Sequence, residues 1–220
     1  MNIIDCYTDG ACPGNGTENA TGGLGFAKRM PDGTYHSLAV PWNKYFKGRY
    51  GEPTNQKCEL LAGMFPVLAS MILSGGSDKI ESGFPNQPDE TLWDSTGQIK
   101  SNWRVHSDSK YLVDGINHWL YRWKSNGWKN SKNKPIANMQ MWKDMDAMLS
   151  FGHNRGVFSF FYVPGHSGDK GNDAADFAAV LAAKDVDGRE ARAQGVLRMP
   201  FNPEAWDEYM TLLKVAEDSL

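Results

Sequence analysis

The chain has 220 residues, 40% of them hydrophobic and 22% charged, which is the composition of an ordinary folded domain with a sizeable core. Lys and Arg number 23 against 26 Asp and Glu, a net charge of −3, so a basic protein that coats nucleic acid is excluded, though a local basic patch is not. There is no apolar run long enough to span a membrane, the N-terminus has no secretory pattern, and three cysteines (Cys6, Cys12, Cys58) without a CxxC pair argue against a disulfide scaffold or zinc ribbon.

In chain order, residues 2–8 are short, apolar and β-prone and run into Asp9-Gly10. A glycine-rich stretch follows, then a second strand over 24–30. Pro31-Asp32-Gly33 marks a tight turn, and a third strand spans 35–40. A Gly-, Pro- and Asn-rich loop reaches about residue 56. Glu59 is expected to open a helix with a stripe of Leu60, Leu61, Met64, Phe65 and Leu68, kinked at Pro66 and stopped at Gly75-Gly76. Residues 75–102 read as an inserted loop. Trp103 to Ser107 form a strand ending at Asp108, with Ser109 as the cap of the next helix. Residues 111–150 look mostly helical, broken at Asn126-Gly127 and Lys134-Pro135. A strand over 157–163 and a helix over 172–184 complete the body. The last segment, 185–220, holds eight acids and four basic residues and is expected to form an acidic extension, helical over 204–216 and packed on the body.

Four acids stand out: Asp9 and Asp108 at strand ends, Glu59 on a helix, and Asp176 on the final helix of the body. Taken singly, each reads as a turn, cap or surface residue. In an α/β sheet, strand ends converge on one edge, and four carboxylates there repel one another unless cations lie between them. Oxygen ligands alone favour Mg²⁺ or Mn²⁺. Two such ions about 3.5–4 Å apart suit in-line phosphodiester chemistry. Separately, residues 119–134 carry five basic residues, no acid and three tryptophans, a pattern that attracts phosphates and offers aromatic faces.

The strings carrying these acids are Tyr7-Thr8-Asp9-Gly10-Ala11-Cys12-Pro13-Gly14-Asn15-Gly16, Thr54-Asn55-Gln56-Lys57-Cys58-Glu59-Leu60, Ser107-Asp108-Ser109-Lys110 and Gly165-His166-Ser167-Gly168 through Gly171-Asn172 to Asp176. In this order, over residues 1–184, the chain resembles a type 1 ribonuclease H of the handle-containing kind found in bacteria and phages. The resemblance implies an α/β fold with a five-stranded mixed sheet, order 3-2-1-4-5, flanked by helices. It implies an endoribonuclease that hydrolyses the RNA strand of RNA–DNA hybrids with two Mg²⁺ ions, Mn²⁺ substituting, leaving 5′-phosphate and 3′-hydroxyl ends. Asp9, Glu59, Asp108 and Asp176 match the metal-binding acids, with Asp9 bridging the ions. His166 matches the loop histidine thought to move a proton or assist product release.

The same resemblance turns Gly10, Ala11, Cys12, Asn15, Asn55, Gln56 and Glu59 toward the minor groove, where the 2′-hydroxyl distinguishes RNA. Gln56 stands where the family more often has Asn, and Lys110 where it often has Gln. Residues 115–135 match the basic handle. There Trp119 and Trp123 are expected to be partly core, with Lys124, Trp128 and Lys129 toward the hybrid. A handle implies an enzyme that works without a partner polymerase; a cytoplasmic monomer is expected. No hybrid-binding domain precedes Met1, so cutting is expected to be distributive. The extension 185–220 has no counterpart in the minimal family domain and could dock a protein partner. Two alternatives stay open: a catalytically silent hybrid-binding module, and a DNA nuclease of related fold.

Overall fold

The computed structural model describes residues 2–74, 101–150, 157–184 and 188–198. Residues 75–100 of the loop read over 75–102, His153, and the helix read over 204–216 with its apolar residues lie outside the described residues; the last two residues of that loop, Ser101 and Asn102, belong to a strand instead. None of the described helices is long and apolar enough to cross a membrane.

Three strands open the chain: β1 (Asn2–Ala11), β2 (Gly23–Arg29) and β3 (Tyr35–Pro41), paired as an antiparallel meander. The tight turn between β2 and β3 is held by Asp32, whose Oδ1 accepts from the Thr34 amide and hydroxyl. β4 (Ser101–Ser107) lies parallel to β1, and β5 (Phe158–Tyr162) parallel to β4. The core order, 5-4-1-2-3, is the expected one read from the opposite side. Among the described residues the sheet has six strands where five are expected, because β6 (Val196–Arg198) adds itself in parallel to the free edge of β3. Three residues are too short a run to announce a strand. Burial of Val196 against the end of the sheet supplies what periodicity could not.

The segment read as a loop before residue 56 contains a helix, α1 (Lys44–Tyr50). Asn43 caps it, its Oδ1 accepting from the Tyr45 and Phe46 amides, and the buried pair Phe46 and Tyr50, one helical turn apart, faces inward. α2 (Asn55–Ser74) starts four residues earlier than expected, because Thr54 caps it through the Lys57 amide. Glu59 therefore sits in the second turn and does not open the helix. Pro66 lies inside α2 and withdraws the donor that would reach the Ala62 carbonyl, yet the helix runs on to Ser74.

α3 (Lys110–Asp114) begins at the Ser109 cap, as expected, and passes through a π-helical stretch, Gly115–Trp119, into α4 (Leu120–Ser125). α5 (Met139–Ser150) buries Met141, Trp142, Met145 and Met148 beside α2. α6 (Lys170–Ala183), capped by Asp169, lies against β1, β2 and β3. Its alanine face (Ala175, Ala178, Ala179, Ala182) lets the helix approach the strands closely. A short α7 (Gly188–Ala193) leads into β6. The large core of Leu60, Leu61, Met64, Trp103, Val105, Leu112 and Trp142 packs α2 against the sheet, beside the strands that carry Asp9 and lead to Asp108.

Candidate active site

Asp9 lies two residues short of the end of β1, opposite Gly25 of β2. It is only 7% exposed, and its Oδ1 accepts from the Gly10 amide at 2.8 Å. Gly10 makes the next contact possible. A Cβ there would fall 2.2 Å from the Glu59 backbone nitrogen, so only glycine lets β1 run directly under the start of α2. Glu59 is thus brought to Asp9 from above, and Asp108 from the end of the neighbouring strand. One carboxylate oxygen from each of Asp9, Glu59 and Asp108 lies within 4.8 Å of the others.

Asp176 arrives from α6. It stands outside that group of three but close enough to Asp9 for its charge to raise the Asp9 carboxyl. Four residues earlier on the same helix face, Asn172 donates from Nδ2 to Asp108 Oδ2 at 3.1 Å. Asn172 is 2% exposed, and its Oδ1 has no hydrogen-bond partner. It was not among the expected site residues. The signal was its place in the Gly171-Asn172 string, one turn before Asp176.

Burial and mutual repulsion dominate the electrostatics. Asp9 is pushed up to about 7, first by desolvation and then by the Asp108 and Asp176 charges, against the lowering effect of the Gly10 amide. Glu59 is raised well above the carboxylate range by burial and by Asp9 and Asp108, and its Oε2 is buried without a partner. Among the described residues no Lys, Arg or His pairs with any of these three acids. Converging acids with no protein cation, and an orphaned buried oxygen among them, fit a hard divalent cation held by oxygens.

The loop after β5 closes one side. Gly165 presses on Asp108 so tightly that a Cβ would lie 2.6 Å from Oδ2. His166 follows in the left-handed region at φ 50, exposed, and Ser167 Oγ steadies the turn by donating to the Pro164 carbonyl at 2.7 Å. On the other side Asn15 Oδ1 accepts from the Asn55 amide at 3.3 Å, tying the glycine-rich loop to the start of α2. Asn15, Asn55 and Gln56 are exposed, whereas the Cys12 side chain is buried, so it offers the surface only its backbone. Lys110 is exposed at the start of α3, with its ammonium 5.1 Å from the Tyr162 ring.

The basic segment splits into two kinds of residue. Trp123 packs on Trp142 and Trp119 on Trp123, at centroid distances of 5.1 and 5.5 Å. Trp119 is exposed and Trp123 half-buried. Trp128, expected beside the lysines, is also half-buried against the core with Lys143 over its ring. Lys124 is committed to Asp146 at 2.6 Å, while Lys129, Lys132 and Lys134 project from the loop after α4.

Comparison with known proteins gives a consistent answer. The profile of the family described as RNase H matches residues 91–184. A ribonuclease H of Ruthia magnifica is 32% identical over 83% of this chain and 96% of its own length. The ribonuclease H of Thermosynechococcus vestitus is 30% identical over 79% of this chain and 84% of its own. Among solved structures, a type 1 RNase H with the type 2 active-site motif covers 94% of this chain and 81% of its own at a TM-score of 0.56 and 22% identity. The RNase H domain of PFV covers 84% and 96% at a TM-score of 0.57, also at 22% identity. A foamy viral protease-reverse transcriptase in complex with RNA/DNA hybrid matches over 83% of this chain and 20% of that one, at 21% identity and a TM-score of 0.57.

Proposed function

This chain belongs to the ribonuclease H family and is a ribonuclease, and from that premise we propose that it cuts the RNA strand of RNA–DNA hybrids with two divalent ions held by Asp9, Glu59, Asp108 and Asp176. The observation that carries the reading is the approach of three carboxylate oxygens to within 4.8 Å with no protein cation between them. Two Mg²⁺ ions at such a site supply an activated attacking water and stabilise the departing 3′ oxygen of an in-line displacement. The chain's own residues do the rest. Asp9, fixed by the Gly10 amide, would be the acid shared by the two ions, with Glu59, Asp108 and Asp176 completing their ligands. Asn172 holds Asp108 in one orientation. His166, on an exposed and steadied turn beside Asp108, moves the proton or eases the product out. Asn15, Asn55 and Gln56 offer amides that donate and accept at once, as recognition of a 2′-hydroxyl requires. The lysines after α4 bind phosphates of the hybrid.

A labelled RNA strand tests this reading when presented in a hybrid, alone, and as the matching DNA duplex, each with Mg²⁺ and with EDTA. Cutting is expected only in the hybrid and only with metal, leaving 5′-phosphates. Cutting in EDTA would remove the metal from the mechanism. An uncut hybrid that still binds tightly would leave a binding module instead.

A further inference from the structure

We infer that α1 is a second arm that grips the sugar–phosphate backbone of the nucleic-acid substrate, apart from the basic loop after α4; the inference rests on the reading above. The seven residues of α1 include three basic ones and no acid. One of the three is spent on anchoring. Arg49 donates from Nε and Nη2 to the two oxygens of Asp144 at 3.0 Å each. Tyr50 donates to Asp144 Oδ2 at 2.6 Å, and Gln140 to Oδ1 at 2.8 Å. Asp144, on α5, is 3% exposed. Two residues along, Asp146 takes the Lys124 ammonium of α4. Helix residues turn by about 100° each, so positions two apart leave the axis about 200° apart. α1 and α4 are therefore fixed on opposite flanks of one strut, α5.

With Arg49 committed, Lys44 and Lys47 occupy the exposed side of α1. Lys44 has no ion-pair partner among the described residues, and Lys47 reaches Glu52 at 2.7 Å with both side chains 58% exposed. These lysines, together with Glu52, rim a trough of about 500 Å³, walled by Trp42, Pro53 and the Ala182-Ala183 end of α6. Its floor is Gly22, which backs onto Cys58, the residue before Glu59, and whose carbonyl accepts from the Trp42 amide. The trough thus opens on the sheet edge that carries Asp9. It spans the strand ends from Gly22, before β2, to Pro41 of β3, one to two strand spacings or roughly 5–10 Å from β1. A duplex carries a negative charge about every 1.7 Å, so backbone flanking the cut passes cationic surface at that offset. An arm already rigid before binding loses little freedom on meeting it.

The test measures hybrid binding in EDTA and steady-state cleavage over a range of salt, on a short hybrid and on one longer by a helical turn, about 10 base pairs. The double substitution Lys44→Ala and Lys47→Ala is expected to raise KM several-fold on the longer hybrid without a matching fall in kcat. Each lost phosphate contact should lower the salt slope by about 0.9 or less. Glu52→Gln should act in the opposite sense, because it frees the Lys47 ammonium: lower KM and a steeper slope. Thermal melts establish that the variants fold. Variants that match the wild-type chain in KM and slope on a hybrid it cuts would overturn this inference alone. So would a loss that is equal at all salt concentrations and lengths. A wild-type chain that neither binds nor cuts hybrid would bring down the proposed function, and this arm with it.

Discussion

Asp9→Asn should make the metal-free protein more stable while it destroys cleavage. The perturbation is small in shape: the amide keeps an oxygen to accept from the Gly10 amide and replaces only the charge. In the fold the Asp9 carboxyl is raised from 3.8 to about 7, which corresponds to about 4 kcal/mol at most between its two protonation states. The sign follows from linkage. Below about pH 4 the carboxyl is neutral in both folded and unfolded chains, and the substitution changes little. As pH rises toward 7 the unfolded chain gives up its proton and the folded chain keeps it, so the wild-type protein loses stability across that window; above it the loss is complete. The Asn variant escapes this loss. In EDTA the melting temperatures should coincide near pH 4 and differ at pH 8 by on the order of 10 °C in favour of Asn. Added Mg²⁺ should close the gap, because a cation that binds the native wild-type site stabilises it by mass action. A difference in melting temperature that does not change with pH, or that Mg²⁺ leaves untouched, would refute the account of the acid cluster.

Two further outcomes follow from named contacts. Asn172→Ala removes the donor to Asp108 and should shift the Mg²⁺ titration of activity upward by about 10-fold or lower kcat by a similar factor, as loss of an outer orienting group does. An unchanged metal titration and kcat would show that Asp108 is held without it. Asp144→Ala strips Arg49, Tyr50 and Gln140 of a common acceptor and should cost about 3 kcal/mol in urea unfolding, since it leaves a largely buried guanidinium unpaired. A loss below about 1 kcal/mol would place the pair among exposed ones of little worth.

The parts of this molecule that were legible in the sequence are those written in local strings. Ser109 before an apolar run announced a helix cap, and Pro31-Asp32-Gly33 a turn, because one short side chain or one fixed φ decides each. The acids were legible because each sits in its own local string, although only Asp108 directly follows the end of an element; Asp9 lies inside β1, Glu59 inside α2 and Asp176 inside α6. α1 was not, since Gly48 and Gly51 punctuate it and only two inward residues, Phe46 and Tyr50, mark its face. The ties Arg49–Asp144 and Lys124–Asp146 were invisible for another reason. The first spans 95 residues of sequence, and nothing local in either partner announces the other. Asn172 lies within one of those strings without marking itself, because an amide becomes informative only when its burial and its partner are known.

β6 has a consequence beyond the strand count. A sheet that stopped at β3 would present the row of amides and carbonyls along Ser37, Leu38 and Ala39 to any passing strand, including the same strand of another copy. Three residues from beyond 184 fill that row. At the opposite edge the Asn117 side chain donates to the Phe160 carbonyl of β5 and blunts it in the same way. β6 thus guards the β3 edge. A chain cut after residue 184 would keep all four acids and still be the more prone to aggregate, as its concentration rose, through a surface that has no part in catalysis.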